Sequence, residues 1–87
     1  LAQPKQADFV IELGPGTGGT TRALLNAMRP CSRLLAIELC PRFADFLGTL
    51  DDARLEVHEG SAADVENAIV QRGLPRADVI VTGVPLS

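Results

Sequence analysis

Aromatic side chains are almost missing from this sequence: three Phe among 87 residues, with no Trp and no Tyr. Single-stranded nucleic acids are held largely by stacking bases on aromatic rings, so a chain this poor in rings offers few platforms for them. Positive charge is sparse and scattered; eight Lys and Arg face eleven Asp and Glu, for a net charge of −3 and no basic cluster. A face that tracks phosphates is therefore disfavoured within these residues. The two cysteines, Cys31 and Cys40, form neither a CxxC pair nor any metal-ligand spacing. They fit reduced thiols in a cytosolic protein. No apolar run approaches the ~18 residues that span a bilayer.

What is there is an alternation. DFVIELG, residues 8–14, has the Val/Ile content of a buried strand and ends in Gly. Apolar residues at Ala23, Leu24, Ala27 and Met28 then predict one face of a helix that Pro30 stops. RLLAIEL, 33–39, predicts a second buried strand. Pro41 opens a helix at its favoured first position, with Phe43, Phe46, Leu47 and Leu50 spaced as an inward stripe. LEVHEG, 55–60, predicts a third strand. Ser61 and Asp64 resemble a capping box, with Asp in place of Glu or Gln, for a helix running to about Arg72. Its inner face is Val65, Ala68 and Ile69. Gly73 and Pro75 break it before ADVIVTG, 77–83, the fourth strand.

Strands and helices in strict alternation, joined by short connections, predict an α/β fold: a Rossmann-like, doubly wound parallel sheet of order 3-2-1-4. The first and fourth strands then flank the switch point at which ligands bind such sheets. The fourth strand is expected to leave an edge open to self-association.

The chemistry concentrates in VIELGPGTGGTTRALL, residues 10–25. Gly14, Gly16 and Gly19 satisfy the dinucleotide fingerprint G-x-G-x-x-G, with Glu38 at the tip of the next strand. Glu12, Gly14, Gly16 and Gly18 equally satisfy E-x-G-x-G-x-G, so spacing alone does not choose between them. Charge does. A carboxylate about 4 Å from a pyrophosphate oxygen is repelled by ~4 kcal/mol at an effective dielectric of 20. Glu12 instead attracts a ligand with an ammonium and a sulfonium, as in S-adenosylmethionine, and Pro15 inside the turn also speaks against NAD. Glu38 fits either ligand, because an acid there accepts hydrogen bonds from two ribose hydroxyls.

VIELGPGTG, LLAIEL, EVHEGSAADV and ADVIVTGVPLS together resemble the first four motifs of class I S-adenosylmethionine-dependent methyltransferases, over residues 9–87. The ending GVPLS most resembles the bacterial phospholipid N-methyltransferase group, which is related to the ribosomal RNA adenine dimethylases. The resemblance implies that residues 1–87 are the S-adenosylmethionine-binding part of one domain, truncated at both ends, and the N-terminal part of a seven-stranded fold. It implies that Gly14, Pro15, Gly16, Thr17 and Gly18 line the cofactor's methionine part, with Glu12 near its amino group. It implies Glu38 on the ribose, Leu39 on the adenine face, Ser61 and the Ala62 N–H at the adenine edge, and Gly83 among the cofactor-binding residues.

Two departures matter. The family's third motif is G-D-A, but here Gly60, Ser61 and Ala62 stand in its place. Exchanging a charge-assisted bond for a neutral one weakens binding by roughly 1 kcal/mol; Asp64 could replace the carboxylate, but helix capping is its simpler role. The fourth motif of base-amine methylases carries an Asn and an aromatic ring, whereas here Gly83, Val84, Pro85 and Leu86 supply neither. The expected acceptor is accordingly a phosphatidylethanolamine-like or other small amine near Gly83, Val84 and Pro85, with nucleic acid disfavoured. An rRNA adenine dimethylase, a non-catalytic cofactor-binding module and an NAD(P)-binding domain remain the alternatives. No general base is visible, and mid-strand His58 is expected to be structural. The expected location is cytoplasmic, with peripheral contact at the inner membrane surface made through segments outside this stretch.

Overall fold

The computed structural model describes residues 9–16, 18–73 and 79–82. Four strands, β1 (Phe9–Leu13), β2 (Arg33–Glu38), β3 (Leu55–Glu59) and β4 (Val79–Thr82), form one sheet of order β3-β2-β1-β4. All three pairings are parallel; Ile11 of β1, for example, lies between Leu35 of β2 and Ile80 of β4. The predicted strand order is therefore the observed one.

Period-two alternation along β1 sends its side chains to opposite faces of the sheet. Val10 packs with Leu34 against Leu24, Leu25 and Met28 of α1 (Gly19–Ala27) and its C-cap. Phe9 and Ile11 pack with Leu35 and Ile37 against Ala68, Val65 and Ile69 of α3 (Val65–Gln71). Helices thus cover both faces, as near-continuous apolar strands require.

The inner face of α1 differs from the sequence expectation. Thr21, Leu24, Leu25 and Met28 are buried, at i, i+3, i+4 and i+7, whereas Ala23 and Ala27 face outward. A buried Thr replaces an Ala because Glu12 on β1 needs a hydroxyl partner, described below. In α2 (Pro41–Gly48), which starts at Pro41 as predicted, Ala44 and Leu47 are buried while Phe43 and Phe46 stay part-exposed. Of the predicted stripe, Leu47 is buried and Leu50 part-buried, whereas Phe43 and Phe46 are not inward and Ala44 is. A 3₁₀ turn, Ala62–Asp64, leads into α3 through the predicted capping box: the Ala63 N–H donates to Ser61 Oγ (3.1 Å) and the Ser61 N–H to Asp64 Oδ2 (3.2 Å).

Candidate functional site

A cleft of about 450 Å³ opens at the carboxyl ends of β1, β2 and β3. One wall is Leu13, Gly14 and Gly16; a second is Glu38, Leu39 and Phe43; the third is Gly60, Ser61 and Ala62. Of the expected cofactor residues, Gly14, Gly16, Glu38, Leu39, Ser61 and Ala62 converge here, while Pro15 and Gly18 lie in the adjoining turn. Thr17, Gly83, Val84, Pro85 and Leu86 lie outside the described residues.

The turn itself separates the two overlapping glycine patterns. Gly14, Gly16 and Gly18 have φ of 64°, 60° and 88°, the left-handed region that glycine enters without steric penalty. Gly19 does not; it is helical, and a Cβ built there would touch nothing within 4 Å. The backbone needs the glycines of E-x-G-x-G-x-G, not the last one of the dinucleotide fingerprint.

Glu12 is fully buried. Its side chain shares the α1 face of the sheet with Val10, and the Thr21 hydroxyl donates to its Oε1 at 2.6 Å. Its Oε2 is buried and has no hydrogen-bond partner among the described residues. Burial pushes the Glu12 carboxyl above the usual carboxylate range; the Thr21 hydrogen bond opposes this, and the negative charge of Glu38 adds to it. Glu12 does not itself line the cleft; it is a buried carboxyl with one oxygen short of a hydrogen-bond partner, two residues before Gly14.

Glu38 has a second role that the sequence did not signal. Its Oε1 accepts from the Gly16 N–H at 2.8 Å and its Oε2 from the Cys40 N–H at 3.0 Å. The carboxylate therefore staples the glycine turn to the N-cap of α2. Each oxygen keeps a further acceptor lone pair, so hydroxyl donors in the cleft still have partners. Phe43 was missed as a site residue because its spacing reads as core; it lies one turn into α2, where Pro41 fixes the helix start beside the end of β2. Leu39 is 71 % exposed at the cleft mouth, an apolar surface without a core partner. Asp64 does not line the cleft: its carboxylate is turned back onto the Ser61 N–H, as capping requires. His58 is likewise absent from the cleft walls.

No protein-family model matches the chain. Similar curated proteins are an ornithine lipid N-methyltransferase from Singulisphaera acidiphila, 34 % identical over 94 % of this chain and 44 % of the relative. A ribosomal RNA small subunit methyltransferase A from Maricaulis maris is 38 % identical over 98 % of this chain and 29 % of its own length. A dimethyladenosine transferase from Schizosaccharomyces pombe is 34 % identical over 97 % and 26 %. The chain thus spans less than half the length of these relatives. Among solved structures, the O-methyltransferase TomG from Streptomyces achromogenes, determined in complex with SAM, superposes with a TM-score of 0.75. It is 27 % identical and is matched over 95 % of this chain and 40 % of its own. With the strand order and the E-x-G-x-G-x-G turn, these likenesses place the chain in the class I S-adenosylmethionine-dependent methyltransferases.

Proposed function

We propose that residues 1–87 are the S-adenosylmethionine-binding part of an N-methyltransferase that acts on an aliphatic lipid amine. The observation that carries the cofactor is the buried Glu12 carboxyl with its unpartnered Oε2, which fits an ammonium and repels a pyrophosphate. In this reading Glu12 holds the amino end, and the free lone pairs of Glu38 accept the ribose hydroxyls. Leu39 and Phe43 flank the purine, with Ser61 and the Ala62 N–H at its edge. S-adenosylmethionine supplies an electrophilic methyl on sulfonium for in-line displacement by an amine. The chain's own contribution is then proximity and alignment, which suffices for such a transfer.

The lipid acceptor draws support from the ornithine lipid N-methyltransferase likeness, which spans the largest share of any relative named here. The absence of Asn and an aromatic ring from GVPLS, and the net charge of −3, point the same way. The rRNA methyltransferase likenesses support a second reading, methylation of a base amine. A lipid acceptor also implies work at the inner face of a membrane.

Isothermal titration with S-adenosylhomocysteine, with NAD in parallel, tests the cofactor. Binding of the former alone, lost in Glu38→Ala, is expected; NAD binding defeats the reading. Transfer of labelled methyl by the whole protein to ornithine lipid, phosphatidylethanolamine or RNA then separates the acceptors.

A further inference from the structure

The polar groups behind the Ser61 wall of the cleft have no part in the site as described. His58 points from β3 toward α3, on the face of its paired neighbour Ile37. Arg72, the C-cap of α3, brings its Nη1 to 3.1 Å from His58 Nδ1. The same guanidinium donates to the carbonyl oxygens of Ala68 (3.3 Å) and Val57 (3.4 Å), and its Nε lies 3.8 Å from Glu56 Oε2. On the other side of the ring, His58 Nε2 lies 4.0 Å from Asp64 Oδ2, the atom that caps the Ser61 N–H. Gly60 closes the cluster: a Cβ there would stand 2.8 Å from Asp64 Oδ2 and 3.0 Å from His58 Nε2.

Guanidinium groups only donate, so Nδ1 of His58 is the acceptor and carries no proton in this arrangement. The proton of the neutral ring then sits on Nε2, facing Asp64. Among the described residues, the charged and titratable groups around the ring are Arg72 at the end of α3, Asp64 on the 3₁₀ turn and Glu56 on β3; its neighbour on β2 is Ile37. A second proton on Nδ1 would meet the Arg72 donor directly. It would also make the ring a cation that competes with the Ser61 N–H for Asp64 Oδ2.

We propose that His58 is a positioning residue for the Gly60–Ala62 wall, and that its protonation loosens nucleoside binding in the cleft. The inference rests on the reading of the cleft as a nucleoside site. Histidine changes charge between about pH 5 and 8, and one coupled proton alters affinity by at most tenfold per pH unit. Adenosine is the probe, because it has no ammonium to pair with Glu12; any effect of Glu12 through Glu38 on the ribose is common to wild type and His58→Gln.

The experiment is titration of the chain with adenosine at pH 7.5 and 5.5. Affinity is expected to fall about three- to tenfold at the lower pH. In His58→Gln, which keeps an acceptor for Arg72 and cannot gain the proton, it is expected to stay flat. A flat wild-type profile, a rise at low pH, or an equal fall in the variant overturns the proposal. Should the variant not fold, NMR of the single histidine decides: by reciprocity, saturating adenosine must move the His58 titration to lower pH, and an unmoved titration overturns it. If a folded chain binds neither adenosine nor S-adenosylhomocysteine at any pH, the nucleoside reading has failed and this inference falls with it. If both bind and only the pH effect is absent, the nucleoside reading stands alone.

Discussion

At the scale of single residues, Glu12 shows what a buried, half-satisfied carboxyl costs in stability. Its carboxyl is fully buried, with one oxygen held by Thr21 and the other without a partner among the described residues. The raised pKa means that the folded state prefers the proton. Since the folded form binds more protons than the unfolded one, stability is greatest below the ordinary carboxylate value of 4.5 and declines as pH rises through the folded value. Glu12→Gln removes that penalty. The variant is expected to be more stable than wild type by about 1 kcal/mol at pH 7, from the usual size of a buried-polar penalty, with the difference shrinking toward pH 4. Thermal melts at the two pH values check this. In the same variant S-adenosylhomocysteine should bind at least tenfold more weakly, a charge-assisted contact being worth roughly 1.5–3 kcal/mol, while adenosine affinity holds. A variant less stable than wild type at pH 7 would contradict this account of Glu12. That an acid stands two residues before the glycine turn was legible in the sequence. That it needs Thr21 was not, because a single Thr in a helix has no periodic signal of its own.

Among the described elements, the order of the four strands and three α-helices could be read in advance, because short continuous apolar runs and stripes of period 3.6 differ plainly; the 3₁₀ turn before α3 could not. The faces of short amphipathic helices could not. In α2, Ala44 rather than a ring fills the space against the sheet, and Phe43 is left to line the cleft. The glycines sharpen the point. A Cβ at Gly18 would lie 3.2 Å from Leu47 Cδ2, on a backbone with φ of 88°. Gly18→Ala should therefore cost about 1–3 kcal/mol of strain, and weaken S-adenosylhomocysteine binding with it. Gly19→Ala, in open space and helical, should leave binding intact and add about 0.5 kcal/mol of stability; loss of binding there would revive the dinucleotide pattern. The loop before β3 has its own clamp. Arg54 donates from Nη2 to Asp52 Oδ2 (2.7 Å) and from Nη1 to the carbonyl oxygen of Met28 at the end of α1 (3.1 Å). Hydrogen bonds from Arg54 are the main reason the Asp52 carboxyl falls to about 2. Its contribution is present above pH 3.8 and lost as pH falls through about 2. For a pair that is only part-buried we expect Asp52→Asn to cost about 0.5–1 kcal/mol at pH 7, and little near pH 2, in urea melts at both pH values.

For the whole molecule, both ends of the sheet are edges: among the described residues β3 pairs only with β2 and β4 only with β1, and of these two strands β4 carries the exposed large apolar side chain, Ile80. Ile80 stands beside Ile11 on the α3 face, yet α3 covers Ile11 and leaves Ile80 58 % exposed. A short α/β unit buries about 60–65 % of its unfolded surface, so an open apolar edge weighs heavily on it. In the S. acidiphila relative the matching stretch is 44 % of the protein, so the surroundings of such an edge depend on how much chain accompanies it. An exposed edge strand with apolar side chains is a template for pairing with another chain. The 87 residues studied alone are therefore expected to associate: the weight-average sedimentation coefficient should climb with concentration across the micromolar range. Ile80→Lys places a charge on the face of the edge without touching the cleft, and should return the chain to a concentration-independent monomer with S-adenosylhomocysteine affinity unchanged. A wild-type chain that stays monomeric throughout, or a variant that associates as before, would mean that β4 is not the adhesive surface.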